Sequence, residues 1–241
     1  MKKRNITFEQ IEGTLQLKSW WAVIAILPFA RRMIYYLVNY TNIKPNTITF
    51  ISILIRFLSC LFFLKGTYIF LVLGGTCFQI AYLLDCIDGP IARLTNQTST
   101  FGRYFDHMSD MLCGVFILLS FSYGQGLFLH PIIIAIIFVY ISEYYITYLV
   151  NFVLECSIIK KIASSNIFIK YFLKYRRFFF DKHLKSFVSL PDCDALLFFV
   201  FPILGMPKFG FYVYFYLIII ITLYKIFSSF ISIHTEDKIF P

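Results

Sequence analysis

The sequence predicts an all-α integral membrane protein: a bundle of six transmembrane helices preceded by an N-terminal interfacial helix. Three observations carry that reading. Of the 241 residues, 59% are hydrophobic and only 15% charged, with a mean hydropathy of +0.74; a soluble domain of this length carries more charge. Long apolar runs recur between short polar connections, each able to cover the hydrocarbon core of a bilayer. The basic residues gather in alternate connections, as they do when topology is set by cytoplasmic charge. A net charge of +9 suits anionic lipid headgroups or phosphorylated substrates. Because the basic residues are split among loops between apolar spans, nucleic acid is excluded as a partner.

Residues 1–44 form the first segment. Lys2, Lys3 and Arg4 are followed by a polar stretch with Glu9, Glu12 and Lys18 rather than by an apolar core, so this is not a cleaved signal peptide. From Trp20 to Tyr40 the chain is apolar and aromatic, but Pro28, Arg31 and Arg32 interrupt it. The pattern predicts a helix lying in the interface, with Trp20, Trp21, Tyr35, Tyr36 and Tyr40 at headgroup depth and the two arginines toward phosphates. A spanning helix is the alternative.

Residues 45–232 form the six-span domain, and 233–241 a tail. The spans are expected near 46–64, 68–88, 107–124, 131–154, 193–206 and 210–232, the fifth being short. Pro45 suits the first turn of the first helix. Counting Lys225 near the end of the last span, 19 basic residues fall on the side of the termini and of the 89–105 and 155–192 loops, against Lys65 and Lys208 on the other. Both termini and the 89–105 loop are therefore expected to face the cytoplasm.

The chemistry concentrates between residues 85 and 110. Four of the 13 acidic residues stand in these 26 positions: Asp85 and Asp88 at i, i+3, and Asp106 and Asp110 at i, i+4. Each pair shares a helix face, so two adjacent helices would aim four carboxylates at one point. Such a cluster at a membrane edge is tolerable only with bound cations or altered protonation. Hard divalent cations prefer oxygen ligands and usually bind beside substrate phosphates. Gly89 and Gly102 lack Cβ and admit a ligand or a neighbouring backbone. Ala92 lies on the face of Asp85, where a larger side chain would intrude, and Arg93 can hold a phosphate or carboxylate in its planar fork.

The order Asp85-x2-Asp88-Gly89-x2-Ala92-Arg93-x8-Gly102-x3-Asp106-x3-Asp110 resembles the signature of the CDP-alcohol phosphotransferase (CDP-alcohol phosphatidyltransferase) family, with all eight signature residues present. Pro45, Asn46 and Thr49 resemble the family's first span, which borders the cytidine nucleotide. The family also carries a helix on the membrane before that span. The resemblance implies that Asp85, Asp88 and Asp106 are metal ligands and that Asp110 is both ligand and general base. It implies further that Gly89, Ala92, Arg93 and Gly102 form the nucleotide surface. Two ions of Mg²⁺ or Mn²⁺, a CDP-alcohol donor, an alcohol acceptor, membrane lipid and a homodimer follow as expected partners. His107 follows Asp106 where many lipid-forming members have proline, so no particular lipid is inferred.

The expected activity is transfer of a substituted phosphate group from the CDP-alcohol to a hydroxyl, with release of CMP; a transporter or ion pathway using the carboxylates is the alternative. Arg56 and Glu143 are isolated charges inside spans one and four, and depth alone suggests that they pair. In the basic 155–192 loop, read as an amphipathic helix on anionic lipid, Arg176 and Arg177 are candidates for an acceptor's phosphate. Asp181, Asp192 and Asp194 are read as caps or solvent-facing. The six cysteines show no metal-binding spacing and are read as inert core residues. Pro90, next to the signature, is expected to kink its helix.

Overall fold

The computed structural model describes residues 5–15, 19–156, 167–180 and 184–235, and among these the chain is helical without a β-strand. Helix α1 (Phe8–Glu12) is short and doubly capped: Thr7 accepts from the Gln10 amide, and the Gln10 side chain accepts from the Thr7 amide. Helix α2 (Ala22–Tyr40) opens on a π-helical turn, Ala22–Ile26. Helices α3 (Pro45–Lys65), α4 (Tyr68–Leu94), α5 (Thr100–Gly124) and α6 (Pro131–Cys156) follow. Then come α7 (Ile167–Phe180), the segmented α8 (Leu190–Ala195, a π turn Leu196–Val200, and Phe201–Ile203) and α9 (Pro207–Thr235).

Among the described residues six helices are long and apolar enough to cross a bilayer: Ala22–Tyr40, Pro45–Lys65, Tyr68–Leu94, Thr100–Gly124, Pro131–Val150 and Pro207–Ile231. The chain is thus an integral, multi-pass membrane protein; by length and composition this set includes α2 and lacks the predicted fifth span. The run predicted as a fifth span falls on α8, whose helical backbone is confined to residues 190–203 and changes pitch in its middle. Helix α2 is the segment expected to lie in the interface, and its length and composition also admit the spanning alternative. Pro28 does not break α2, because it falls in the first turn after the π segment, where a missing amide costs little.

Helix α3 runs along α4 and α5, and α6 packs on α9. The interior divides into two apolar clusters. One joins α1 and α2 to the starts of α3 and the ends of α4 through Ile11, Ile26, Ile34, Ile48, Ile87 and Ile91. The other, further along the chain, is aromatic: Phe63 meets Phe121 at 4.7 Å between ring centroids, and Phe121 meets Phe211 at 4.9 Å. Such ring pairs add roughly 0.5–1.5 kcal/mol each beyond the area they bury.

Short polar bonds pin the N-terminal segment over the first cluster. The Asn39 side chain bonds the Ile6 amide at 2.9 Å and the Ile6 carbonyl at 3.1 Å, and Arg31 pairs with Glu12 at 2.6 Å. Asp192 caps α8 as expected, accepting from the Ser189 amide and hydroxyl at 2.8 Å, and also accepts from the Trp21 amide at 2.6 Å. Asp194 departs from expectation: it is buried and accepts from the Tyr214 hydroxyl at 2.7 Å, because α8 turns this face against α9. Asp181 lies outside the described residues. Cys60, Cys77, Cys86, Cys113 and Cys193 form no disulfide among the described residues.

Candidate active site

The carboxylates are delivered by two helices that both extend beyond their predicted ends. Helix α4 continues through Pro90 to Leu94, so Asp85 and Asp88 sit on regular helix. Helix α5 begins at Thr100, seven residues before the predicted start at 107. The cause is local: Ser99 is an N-cap whose hydroxyl accepts from the Gly102 amide at 2.9 Å, a bond typically worth about 1 kcal/mol. Asp106 and Asp110 therefore lie inside α5, one turn apart. A Cβ on Gly102 would stand 2.9 Å from that Ser99 oxygen, so a side chain there would push out the cap that starts the helix.

Asp85, Asp106 and Asp110 each offer a carboxylate oxygen within 4.8 Å of the others. Asp88 stands beside this trio. It is buried and accepts from the Thr49 hydroxyl at 2.6 Å, which ties α4 to the first turn of α3. The Asp106 Oδ1 is buried and finds no hydrogen-bond partner among the described residues. An unpaired buried acceptor is costly, and beside two further carboxylates it fits a hard divalent cation.

Arg56 is buried on α3, as its depth implied, but its partner is not Glu143. Its Nη2 donates to Asp85 Oδ1 at 2.9 Å and its Nη1 to Asp110 Oδ1. Glu143 pairs with Lys225 on α9, which also reaches the Thr147 hydroxyl. Equal depth made the Arg56–Glu143 pairing plausible. The helix contacts decide otherwise, since α3 packs on α4 and α5 and α6 packs on α9.

A pocket of about 420 Å³ opens beside the carboxylates. Pro45, Asn46 and Thr49 line it from α3, and Asp88, Gly89, Ala92 and Arg93 from α4. Gly102 and Asp106 line it from α5, so the seven residues expected to meet a nucleotide surround one space. The wall also holds residues that the sequence reading did not single out: Gln97, Thr98, Ser99, Thr100 and Arg103. The polar run between Leu94 and Phe101 was the signal for the first four of these. Arg93 is aimed by its surroundings: Nε donates to the Thr14 carbonyl at 3.0 Å, and a Cβ on Gly89 would lie 3.4 Å from the guanidinium. Arg176 donates to the Ser228 hydroxyl at 2.7 Å and Arg177 is exposed; α7 brings neither into this pocket.

A family model described as CDP-alcohol phosphatidyltransferase matches residues 42–225. The chain is 31% identical over 94 residues to a CDP-diacylglycerol–inositol 3-phosphatidyltransferase of Drosophila melanogaster, covering 38% of this chain and 40% of that one. It is 36% identical over 98 residues to cholinephosphotransferase 1 of Mus musculus, covering 36% of this chain and 24% of that one. With an archaetidylinositol phosphate synthase of Pyrococcus horikoshii it shares 33% identity over 84 residues, 34% of this chain and 43% of that one. The matched stretches thus span less than half the length of each of these relatives.

Proposed function

The chain belongs to the CDP-alcohol phosphatidyltransferase family, and from that premise we propose that it transfers a substituted phosphate group from a CDP-alcohol to an acceptor hydroxyl. CMP is released and a phosphodiester forms, in the synthesis of a phospholipid or a related phospho-alcohol. The observation that carries this reading is the single pocket in which Pro45, Asn46, Thr49, Gly89, Ala92, Arg93 and Gly102 adjoin Asp88 and Asp106. An ion pathway is not favoured, because the family and the named relatives are transferases and synthases.

In this reading the pocket takes the nucleotide. Asn46 and the backbone exposed at Gly89 and Gly102 face it, and Arg93 presents its fork to phosphate. Asp85, Asp88, Asp106 and Asp110 would hold two ions of Mg²⁺ or Mn²⁺, which when bound supply neutralisation of charge on the diphosphate. The acceptor oxygen attacks the phosphorus distal to the cytidine. The bond from that phosphorus to the bridging oxygen breaks, and the electron pair leaves with CMP. Asp110 takes the acceptor proton. Arg176 and Arg177 are the candidates for holding a phosphate on the acceptor, and substituting either should raise KM for a phosphorylated acceptor alone.

The basic-residue asymmetry supports a cytoplasmic site and cytoplasmic termini. Cysteines placed at Lys65 and Lys208 should label from outside, and one at Thr98 only after permeabilisation; outside labelling at Thr98 reverses the orientation. A homodimer belongs to the same proposal and is checked by mass measurement in detergent. The central experiment is a screen of CDP-alcohol donors against alcohol acceptors with purified protein, read as CMP. Release of CMP that needs both partners supports the function; a protein that releases none with any pair refutes it.

A further inference from the structure

We propose that Arg56 is a built-in competitor of the divalent cation: its guanidinium draws Asp85 and Asp110 together and yields them when the ion binds. This rests on the metal reading above and adds the direction in which one residue acts on it. Arg56 is 7% exposed, on the middle of α3. Its fork reaches one oxygen on α4 and one on α5. Those two carboxylates are also two of the three whose oxygens converge within 4.8 Å, and the third, Asp106, keeps a buried oxygen without a partner among the described residues. One residue of fixed charge thus addresses two of the four proposed ligands.

A guanidinium is all donor, with no lone pair to give an ion. It stays charged at any working pH. Close to a cation, inside a buried site of low dielectric, it repels. It therefore cannot join the coordination; it competes for the same carboxylates. An arginine that only oriented the ligands would act in the opposite sense. Its loss would loosen Asp85 and Asp110 and weaken the ion, as loss of outer partners does by about 10–100-fold. The two roles differ in sign, which makes them separable by binding alone. Glu143, the only other carboxylate in a described ion pair within the spans beyond α5, is already matched by Lys225 and does not enter the competition.

The test is Mn²⁺ binding followed by electron paramagnetic resonance on the full-length protein in detergent, for wild type, Arg56→Met and Arg56→Lys. Competition predicts that Arg56→Met binds Mn²⁺ at least about tenfold tighter, because a buried positive charge has gone. Arg56→Lys, which keeps the charge, should stay near wild type. Equal or weaker binding by Arg56→Met overturns the proposal and makes Arg56 a ligand-orienting residue. Failure of wild type to bind Mn²⁺ at all overturns the metal reading and this inference with it, so the two failures are distinct. Should Arg56→Met not fold, an experimental structure of Mn²⁺-loaded wild type decides. A guanidinium that has left at least one of Asp85 and Asp110 supports competition, and one still donating to both overturns it.

Discussion

Arg56 holds two of the four carboxylates carried by α4 and α5, whereas Lys225 on α9 holds the single carboxylate of Glu143 on α6, with the Thr147 hydroxyl beside it. Both centres lie within apolar helices, where an unpaired charge is expensive. In the second, one cation meets one anion, and the neighbouring Asp194 is satisfied by the Tyr214 hydroxyl. In the first, anions outnumber the cation among the described residues, one buried oxygen on Asp106 has no partner there, and a pocket of about 420 Å³ opens alongside. Buried charge by itself therefore says little about function. An excess of one sign, next to space for a ligand, is what separates a site from a structural ion pair.

Removing the ion should separate the two centres most sharply. Chelation with EDTA is expected to abolish CMP release, with Mg²⁺ or Mn²⁺ restoring it; full turnover in chelator would refute a metal at the acidic centre. Next in size is Asp110→Asn, which keeps shape and one oxygen but cannot take up a proton. Turnover should fall by on the order of 10² or more while calorimetric binding of the CDP donor persists. Normal turnover in that variant would remove Asp110 from the base role. Asp88→Asn should instead weaken donor and metal binding directly, and donor binding equal to wild type would argue against its role as ligand.

A smaller effect is expected from Thr49→Val, which deletes the hydroxyl that donates to Asp88 at 2.6 Å. Loss of such an outer partner should lower Mn²⁺ affinity by about tenfold, at the low end of the usual range, and unchanged affinity would mean that this bond only joins α3 to α4. The balanced centre should respond in stability. Lys225→Met leaves Glu143 buried without its partner and is expected to cost roughly 3 kcal/mol. Adding Glu143→Gln should return much of that, because the stranded charge goes with it. Thermal unfolding of the single and double variants checks this. A double variant less stable than the single one would show that the pair is not simply balanced charge.

Much of the fold was legible because its signals are local. Apolar length announced α3, α4, α5, α6 and α9, Pro45 marked the start of α3, and the spacing of the aspartates placed each pair on one helix face. Ser99 with Gly102 was also a readable helix start, and weighting it would have moved the start of α5 from 107 to 100. The forms of α2 and α8 were harder to foresee. The fate of Pro28 depends on a π turn at Ala22–Ile26, and the composition of residues 193–206 does not reveal that their helix is short and segmented.

Sequence by itself determined the chemistry that was available: four aspartates, two glycines and an arginine at fixed intervals on two consecutive helices, and their resemblance to one family. Those intervals are set by a covalent chain of known rise and pitch. Tertiary structure alone decided which buried charge met which. Arg56 could be given a depth from its position on α3, yet its choice of Asp85 and Asp110 over Glu143 depends on how α3 is rotated against α4 and α5. Lys225 finds Glu143 across 82 residues by the same rule. Depth follows from counting along one helix, but partnership requires the azimuth of two, and the packing of whole helix faces sets that angle.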